Sequence, residues 1–386
     1  MIYLDNASTT MVDAGMKDLI DKYLYDKYGN AGSVHCFGLE TLAAINDARQ
    51  CIANALGALP ENIIFTSGGS ESNTMAIVGL TDYLNKQKMN HIITTKYEHH
   101  SVLNAMKEME KRGFDVTYLD VPNGSVKYED LLSAVRNDTG LVSIMYVNNE
   151  LGTKNDLKSI YDFCKKSGIL VHSDCVQAIG SEKITLGEIA DLISISGHKI
   201  HSPKGVGCLC VSNKSVLSNI IFGGQQESGL RPGTENTPYI MSLAKSIDNV
   251  SINLKQIREK IDSISLTFGG ALYKLCCERG VEMYCNTSNP ATVSKICSIR
   301  FDGIDAETLT VMLGDSGVCV SSGSACSSHC SEPSHVLKAI GLTDEQSRST
   351  IRISFSDYNT IHEAEEAANI IVNCICALKD IKKEAG

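Results

Sequence analysis

Apolar positions along this chain follow two rhythms that alternate. Short, nearly continuous apolar runs lie at residues 63–66, 91–95, 116–119, 141–147, 169–172 and 192–195. Between them, at 40–56, 74–84, 101–112, 129–135 and 157–166, apolar residues recur three and four apart. The first rhythm predicts buried strands and the second predicts helices with one packed face. Strands alternating with helices in this way assemble into a mainly parallel sheet with helices on both faces. The rhythm changes past residue 223, where an irregular polar stretch, Gly223 to Thr234, leads into a long helical segment from about Ile240 to Glu278. Shorter strands and helices follow, at 282–284, 296–301, 306–313, 318–320, 351–355 and 361–378. The expectation is a large α/β domain over 1–245 and a smaller α+β domain over 246–386. Residues 1–13 carry no periodicity and read as a polar arm that packs with the smaller domain, and residues 14–28 have helical spacing.

In parallel sheets ligands bind beyond the carboxyl ends of the strands. Polar residues gather at those ends here: Glu98, His99 and His100; Asn148, Asn149 and Glu150; His172, Ser173, Asp174 and Gln177; Ser196, His198 and Lys199. The run 192–195 passes directly into the last group, so Lys199 stands just past a buried strand. A lysine there is either a solvated surface residue or, once desolvated, an amine nucleophilic enough to condense with a carbonyl compound. The strand 63–66 stops in Ser67, Gly68, Gly69 and Ser70 before the helical pattern resumes at Thr74. Strand, glycine turn and helix start form an anion cradle, with Ser70 as N-cap, although such a turn also serves geometry alone.

Charge and cysteine content narrow the classes. Lys and Arg number 35 against 45 Asp and Glu, a formal net charge of −10. No basic run interleaved with aromatics is present, so direct nucleic-acid contact is not expected. No segment reaches the roughly 18 apolar residues of a membrane span, and no basic, then apolar leader opens the chain. A cytoplasmic, membrane-free protein is expected. The 15 cysteines are odd in number and include no CxxC pair, which predicts reduced thiols. Cys208/Cys210 and Cys374/Cys376 alternate as one buried face does, Cys276 and Cys277 read as helix packing, and no metal site is expected.

Lys199 and Asp174 together suit pyridoxal phosphate, which requires a lysine for its aldehyde, a carboxylate to keep its ring nitrogen protonated, and a phosphate cradle. His99 either stacks on such a ring and moves protons or is a satisfied histidine at a strand end. Segments 3–10, 66–73, 98–102, 147–152, 172–177, 196–207, 231–234 and 321–337 resemble, in order and spacing, the cysteine desulfurases of the class V aminotransferase-like, fold type I pyridoxal phosphate enzymes. The most specific parts are Ser196 to Lys199 followed by Pro203, Lys204 and Gly205, and Ser322 to Cys326 followed by Glu332 to Leu337. The resemblance covers essentially the whole chain. It implies a large domain with a mainly parallel seven-stranded sheet and a smaller α+β C-terminal domain. It also implies that Lys199 holds the cofactor covalently, Asp174 pairs with the pyridinium nitrogen, Gln177 bonds the ring hydroxyl, and His99 stacks on the ring and assists proton transfer. Gly69, Ser70, Ser196 and His198 would hold the phosphate, with Thr234 reaching across from a partner subunit of a homodimer. Asn149 would lie near ring and substrate, and Arg352 would take the substrate carboxylate.

Cys326 sets this resemblance apart from ordinary aminotransferases. The resemblance implies that L-cysteine displaces Lys199, loses its α-proton and yields its sulfur to the Cys326 thiolate, leaving a persulfide and L-alanine. A sulfur-acceptor protein, either an iron–sulfur scaffold or a thiolation protein, would then take the sulfur. The chain departs from the commoner pattern at Gly69 and Ser70, where Ala and Thr are usual, and at Met11, Ser202, His329 and Cys330. His329 and Cys330 are either loop variation or, for Cys330, a sulfur relay or protective disulfide partner; the spacing is atypical for zinc. The rivals are a selenocysteine lyase, a C–S lyase releasing pyruvate, an aminotransferase, and a non-catalytic relay scaffold.

Overall fold

The structure, a computed structural model, describes residues 1–287, 289–323 and 333–385, the side chains of 383–385 excepted. Its strands are β1 (Ile2–Tyr3), β2 (Ile63–Thr66), β3 (His91–Thr95), β4 (Asp115–Leu119), β5 (Thr139–Ser143), β6 (Leu170–Asp174), β7 (Leu192–Ser196), β8 (Gly207–Val211), β9 (Tyr284–Cys285), β10 (Ile296–Arg300), β11 (Val318–Cys319) and β12 (Thr350–Ser354). Seven of them form one sheet in the order β2-β8-β7-β6-β5-β3-β4. All neighbours in it run parallel except β8, which is antiparallel to both β2 and β7. This is the expected mainly parallel seven-stranded sheet.

Both faces of the sheet are covered, which explains the unbroken apolar runs. Along β8, Cys208 and Cys210 face one core with Ile193 and Ile195, while Leu209 and Val211 face the other with Leu192. The CxC spacing therefore marks a buried face, as its alternation predicts. β8 approaches the turn after β2 so closely that a Cβ at Gly207 would stand 2.5 Å from the Ile195 carbonyl oxygen and 2.7 Å from Gly68 Cα.

The C-terminal part builds an antiparallel sheet in the order β12-β10-β9, covered by the helices Leu254–Arg279 and Ile361–Ala385, which pack on each other. The N-terminal arm is not without structure: β1 pairs parallel with β11, and Asp5 bridges to Ser354. A two-residue strand is too short to print a period on the sequence.

Several expected helices change shape. The segment 14–28 is a 3-10 turn, one α-turn and a π-turn at Lys22–Asp26. The helix expected from Thr74 begins at Gly69 and is capped by Gly68, so Ser70 lies inside its first turn and is not the N-cap. The long helical segment divides at Asn253 into Thr237–Ile252 and Leu254–Arg279. Among the described residues no helix is long and apolar enough to cross a membrane.

Candidate active site

The carboxyl ends of β2, β3, β5, β6 and β7 open into a cavity of about 230 Å³. One water occupies roughly 10–15 Å³ on the same measure, so the space suits a small organic molecule. Gly69, Ser70, His99, Asn149, Asp174, Gln177, Ser196, His198, Lys199 and Arg352 all line it. These are the residues expected from the strand ends and from the resemblance. Thr234 is exposed and does not line this cavity. Cys326, with His329 and Cys330, lies outside the described residues.

Lys199 closes a single turn after β7, and its ammonium donates to the backbone carbonyls of Ala7 and Ser8, the latter at 2.7 Å. Gln177 donates from Nε2 to the same Ala7 carbonyl at 2.9 Å. The arm thus lies across the amine. His198 is bonded through Nδ1 to Thr9 Oγ1 at 3.2 Å. Burial, then the neighbouring Lys199 and Lys204, push His198 down to about 4, which keeps it neutral at neutral pH.

Asp174 is the last residue of β6 and is 5% exposed. Its Oδ1 accepts from the Val176 backbone N–H at 2.9 Å and its Oδ2 from Asn73 Nδ2 at 2.7 Å. The other hydrogen of Asn73 Nδ2 goes to Ser101 Oγ at 2.8 Å. The Ser101 hydroxyl therefore donates onward to His99 Nδ1, 2.7 Å away, which also accepts from the Ser101 N–H at 3.2 Å. With Nδ1 an acceptor twice over, the proton of neutral His99 sits on Nε2. Burial lowers the His99 pKa, Asp174 opposes that shift, and Lys199 and His100 add to it. His99 also caps the helix His100–Lys111, so cap and site geometry coincide.

Arg352 comes from β12 in the other sheet and is 2% exposed. It donates from Nη1 to the Asn149 carbonyl at 3.1 Å, and from Nη2 to Asp5 Oδ1 at 2.8 Å and Ser8 Oγ at 2.6 Å.

Asn73, Ser101 and the arm residues Asp5, Ala7 and Ser8 were missed in the sequence. Asn73 had a signal: it is four residues past Gly69, on the same helix face. Glu150 and His335 also line the cavity, and the fully buried Glu98 lies behind it. Glu98 Oε1 accepts from Thr95 Oγ1 at 2.8 Å and the Met145 N–H at 2.9 Å, while burial pushes Glu98 up to about 8. His335 donates from Nε2 to the Glu98 carbonyl at 2.9 Å and lies 4.5 Å, ring to ring, from His100.

The donor set fits pyridoxal phosphate. An amine and a carboxylate stand in one cavity with the start of the helix Gly69–Val78, whose first residue packs closely on Val176: a Cβ at Gly69 would stand 2.8 Å from Val176 Cγ2. Backbone amides at such a start favour a phosphate. Residues 2–366 match the aminotransferase class-V family.

The chain belongs to the class-V aminotransferase family.

It is 38% identical over 380 residues to the cysteine desulfurase IscS of Clostridium botulinum strain Hall, spanning 97% of this chain and 94% of that protein. It is likewise 38% identical over 382 residues to cysteine desulfurase IscS of Dictyoglomus turgidum, spanning 98% and 96%. Among solved structures, a NifS-like protein superposes with a TM-score of 0.89 at 33% identity, covering 97% of this chain and 99% of that one. SspA in complex with cysteine superposes with a TM-score of 0.80 at 32% identity, covering 93% and 100%. The class-V aminotransferases and their cysteine desulfurases are pyridoxal phosphate-dependent enzymes.

Proposed function

We propose that this class-V aminotransferase is a pyridoxal phosphate-dependent cysteine desulfurase that converts L-cysteine to L-alanine and transfers the sulfur to Cys326 as a persulfide. The observation that carries the reading is the meeting of Lys199, Asp174, His99 and Arg352 in one cavity, in a chain whose relatives of near-equal length are named cysteine desulfurases.

Pyridoxal phosphate supplies an electron sink when bound. Lys199 would hold its aldehyde, Asp174 its ring nitrogen, Gln177 its ring hydroxyl, and Gly69, Ser70, Ser196 and His198 its phosphate. Asp174 is held for that task by Asn73 and the Val176 amide, so the carboxylate does not turn away from the ring. Arg352 binds the substrate carboxylate and Asn149 lies beside it. The Lys199 amine would take the substrate's α-proton, and His99 would offer a proton from Nε2. The Cys326 thiolate would attack the substrate sulfur: an S–S bond forms, the Cβ–S bond breaks, Cβ takes up one proton, and Cα regains the proton held by Lys199, giving alanine and a Cys326 persulfide. The persulfide then serves an acceptor protein of iron–sulfur cluster assembly or another thiolation pathway.

The enzyme acts as a cytoplasmic homodimer in this reading, with residues 1–245 as the cofactor-binding domain and 246–386 as the smaller one. Support for a second copy comes from the exposed apolar side chains Leu24, Tyr25, Tyr28, Val34, Phe37 and Phe222, which a monomer would leave in water. Thr234, exposed here, would complete the partner's phosphate site.

The test is product analysis with L-cysteine and a reductant. Equal amounts of alanine and sulfide, lost in Cys326→Ala, are expected; pyruvate in place of alanine would replace this reading with a C–S lyase.

A further inference from the structure

The guanidinium of Arg352 is already committed. Its Nη2 spends both hydrogens, on Asp5 Oδ1 at 2.8 Å and Ser8 Oγ at 2.6 Å, and Nη1 gives one to the Asn149 carbonyl at 3.1 Å. Nε is buried without a hydrogen-bond partner among the described residues. A guanidinium presents a two-toothed carboxylate with either the Nη1/Nη2 edge or the Nε/Nη2 edge, and both use Nη2. Neither edge is open while Asp5 and Ser8 hold that nitrogen. Ser8 Oγ in turn donates to Asp5 Oδ1 at 2.8 Å, so the two arm side chains act as one unit.

That unit is well anchored. Asn6 Nδ2 donates to the Ser354 carbonyl at 2.9 Å, the Ala7 N–H donates to Ser354 Oγ at 2.8 Å, and β1 is paired with β11. Asp5 is therefore presented to Arg352 by the fold. The two partners differ in access to water: the Asp5 side chain is 19% exposed and that of Arg352 is 3% exposed. A displaced Asp5 carboxylate has solvent to turn to, whereas Arg352 has no such exit and must keep an anionic partner.

We propose that Asp5 is a positioning residue that occupies the carboxylate-binding edge of Arg352 and competes with the amino-acid substrate for it, thereby setting substrate affinity. The proposal rests on the reading of Arg352 as the carboxylate receptor. It makes the enzyme's grip on α-carboxylates weaker than a vacant arginine would give, and it leaves amines without a carboxylate unaffected.

The test uses the holoenzyme and its Asp5→Asn variant, which keeps the side-chain shape. The KM for L-cysteine is expected to fall about threefold to tenfold, the scale of one competing hydrogen bond, with kcat changed less than about twofold. The dissociation constant of L-alanine, read from the cofactor's absorbance, should fall by the same factor, while that of cysteamine, which lacks the carboxylate, should not move. Ser8→Ala, which frees the other Nη2 hydrogen, should act in the same direction and keeps the test alive if Asp5→Asn folds poorly. An unchanged or higher KM in Asp5→Asn, or an equal effect on cysteamine, overturns the proposal. Arg352→Ala separates the two layers: if it raises the KM for L-cysteine while Asp5→Asn does not lower it, only the Asp5 proposal falls; if it leaves that KM unchanged, the carboxylate reading falls and takes the proposal with it.

Discussion

Asn73 donates from Nδ2 to Asp174 Oδ2 at 2.7 Å, tying the first turns of the helix Gly69–Val78 to the end of β6. The helix that offers its start to a phosphate is thus the helix that steadies the carboxylate assigned to the ring nitrogen. The same amide reaches Ser101 and, through it, His99.

Asn73→Leu removes both donations at once. Asp174 loses a hydrogen bond to a buried carboxylate, worth about 1.5–3 kcal/mol. Pyridoxal phosphate affinity should fall about tenfold to a hundredfold, measured by absorbance titration of the apoenzyme. Unchanged affinity would show that the Val176 amide alone suffices to hold Asp174.

Glu98 gives a pH signature. It is fully buried, its Oε2 has no hydrogen-bond partner among the described residues, and its pKa rises from 4.5 to about 8 in the fold. The folded chain therefore binds one more proton than the unfolded chain between those values, and stability falls as pH rises through that window. Glu98→Gln, which mimics the protonated acid, should match the parent's thermal midpoint near pH 5 and exceed it increasingly toward pH 9. A constant difference across the window would mean that Glu98 is ionised in the fold.

The half-buried Arg49 and the buried Glu227 make an ion pair that pins the polar stretch leading to Thr234. Arg49 Nη2 lies 2.6 Å from Glu227 Oε1, Nη1 also donates to the Ile63 carbonyl, and Glu227 Oε2 accepts from the Phe65 N–H at 3.1 Å. Glu227 sits in the left-handed region with φ of 49° and its side chain is 3% exposed, so its position depends on those partners. Arg49→Met strands a buried carboxylate and should cost about 3–5 kcal/mol in chemical denaturation. Arg49→Met combined with Glu227→Met should recover part of the loss.

The main sheet was legible because its strands are short apolar runs buried on both faces, and Lys199 and Asp174 because each follows such a run. β8 was legible only as an alternating pair of cysteines: strand direction depends on which neighbours it meets, and no local period encodes that. The arm was harder still. Asp5, Ala7 and Ser8 act through a carboxylate, a hydroxyl and backbone carbonyls on partners far along the chain, Lys199 and Arg352. Ser101 reads as an ordinary residue at a helix start, and its second role shows only when Asn73 arrives beside it in space.

The most direct test of the proposed activity is the mass of the peptide containing Cys326 after the holoenzyme meets L-cysteine without reductant. One added sulfur on Cys326, absent in Lys199→Ala, is the predicted result. An unmodified Cys326 in an enzyme that consumes cysteine would contradict the persulfide route.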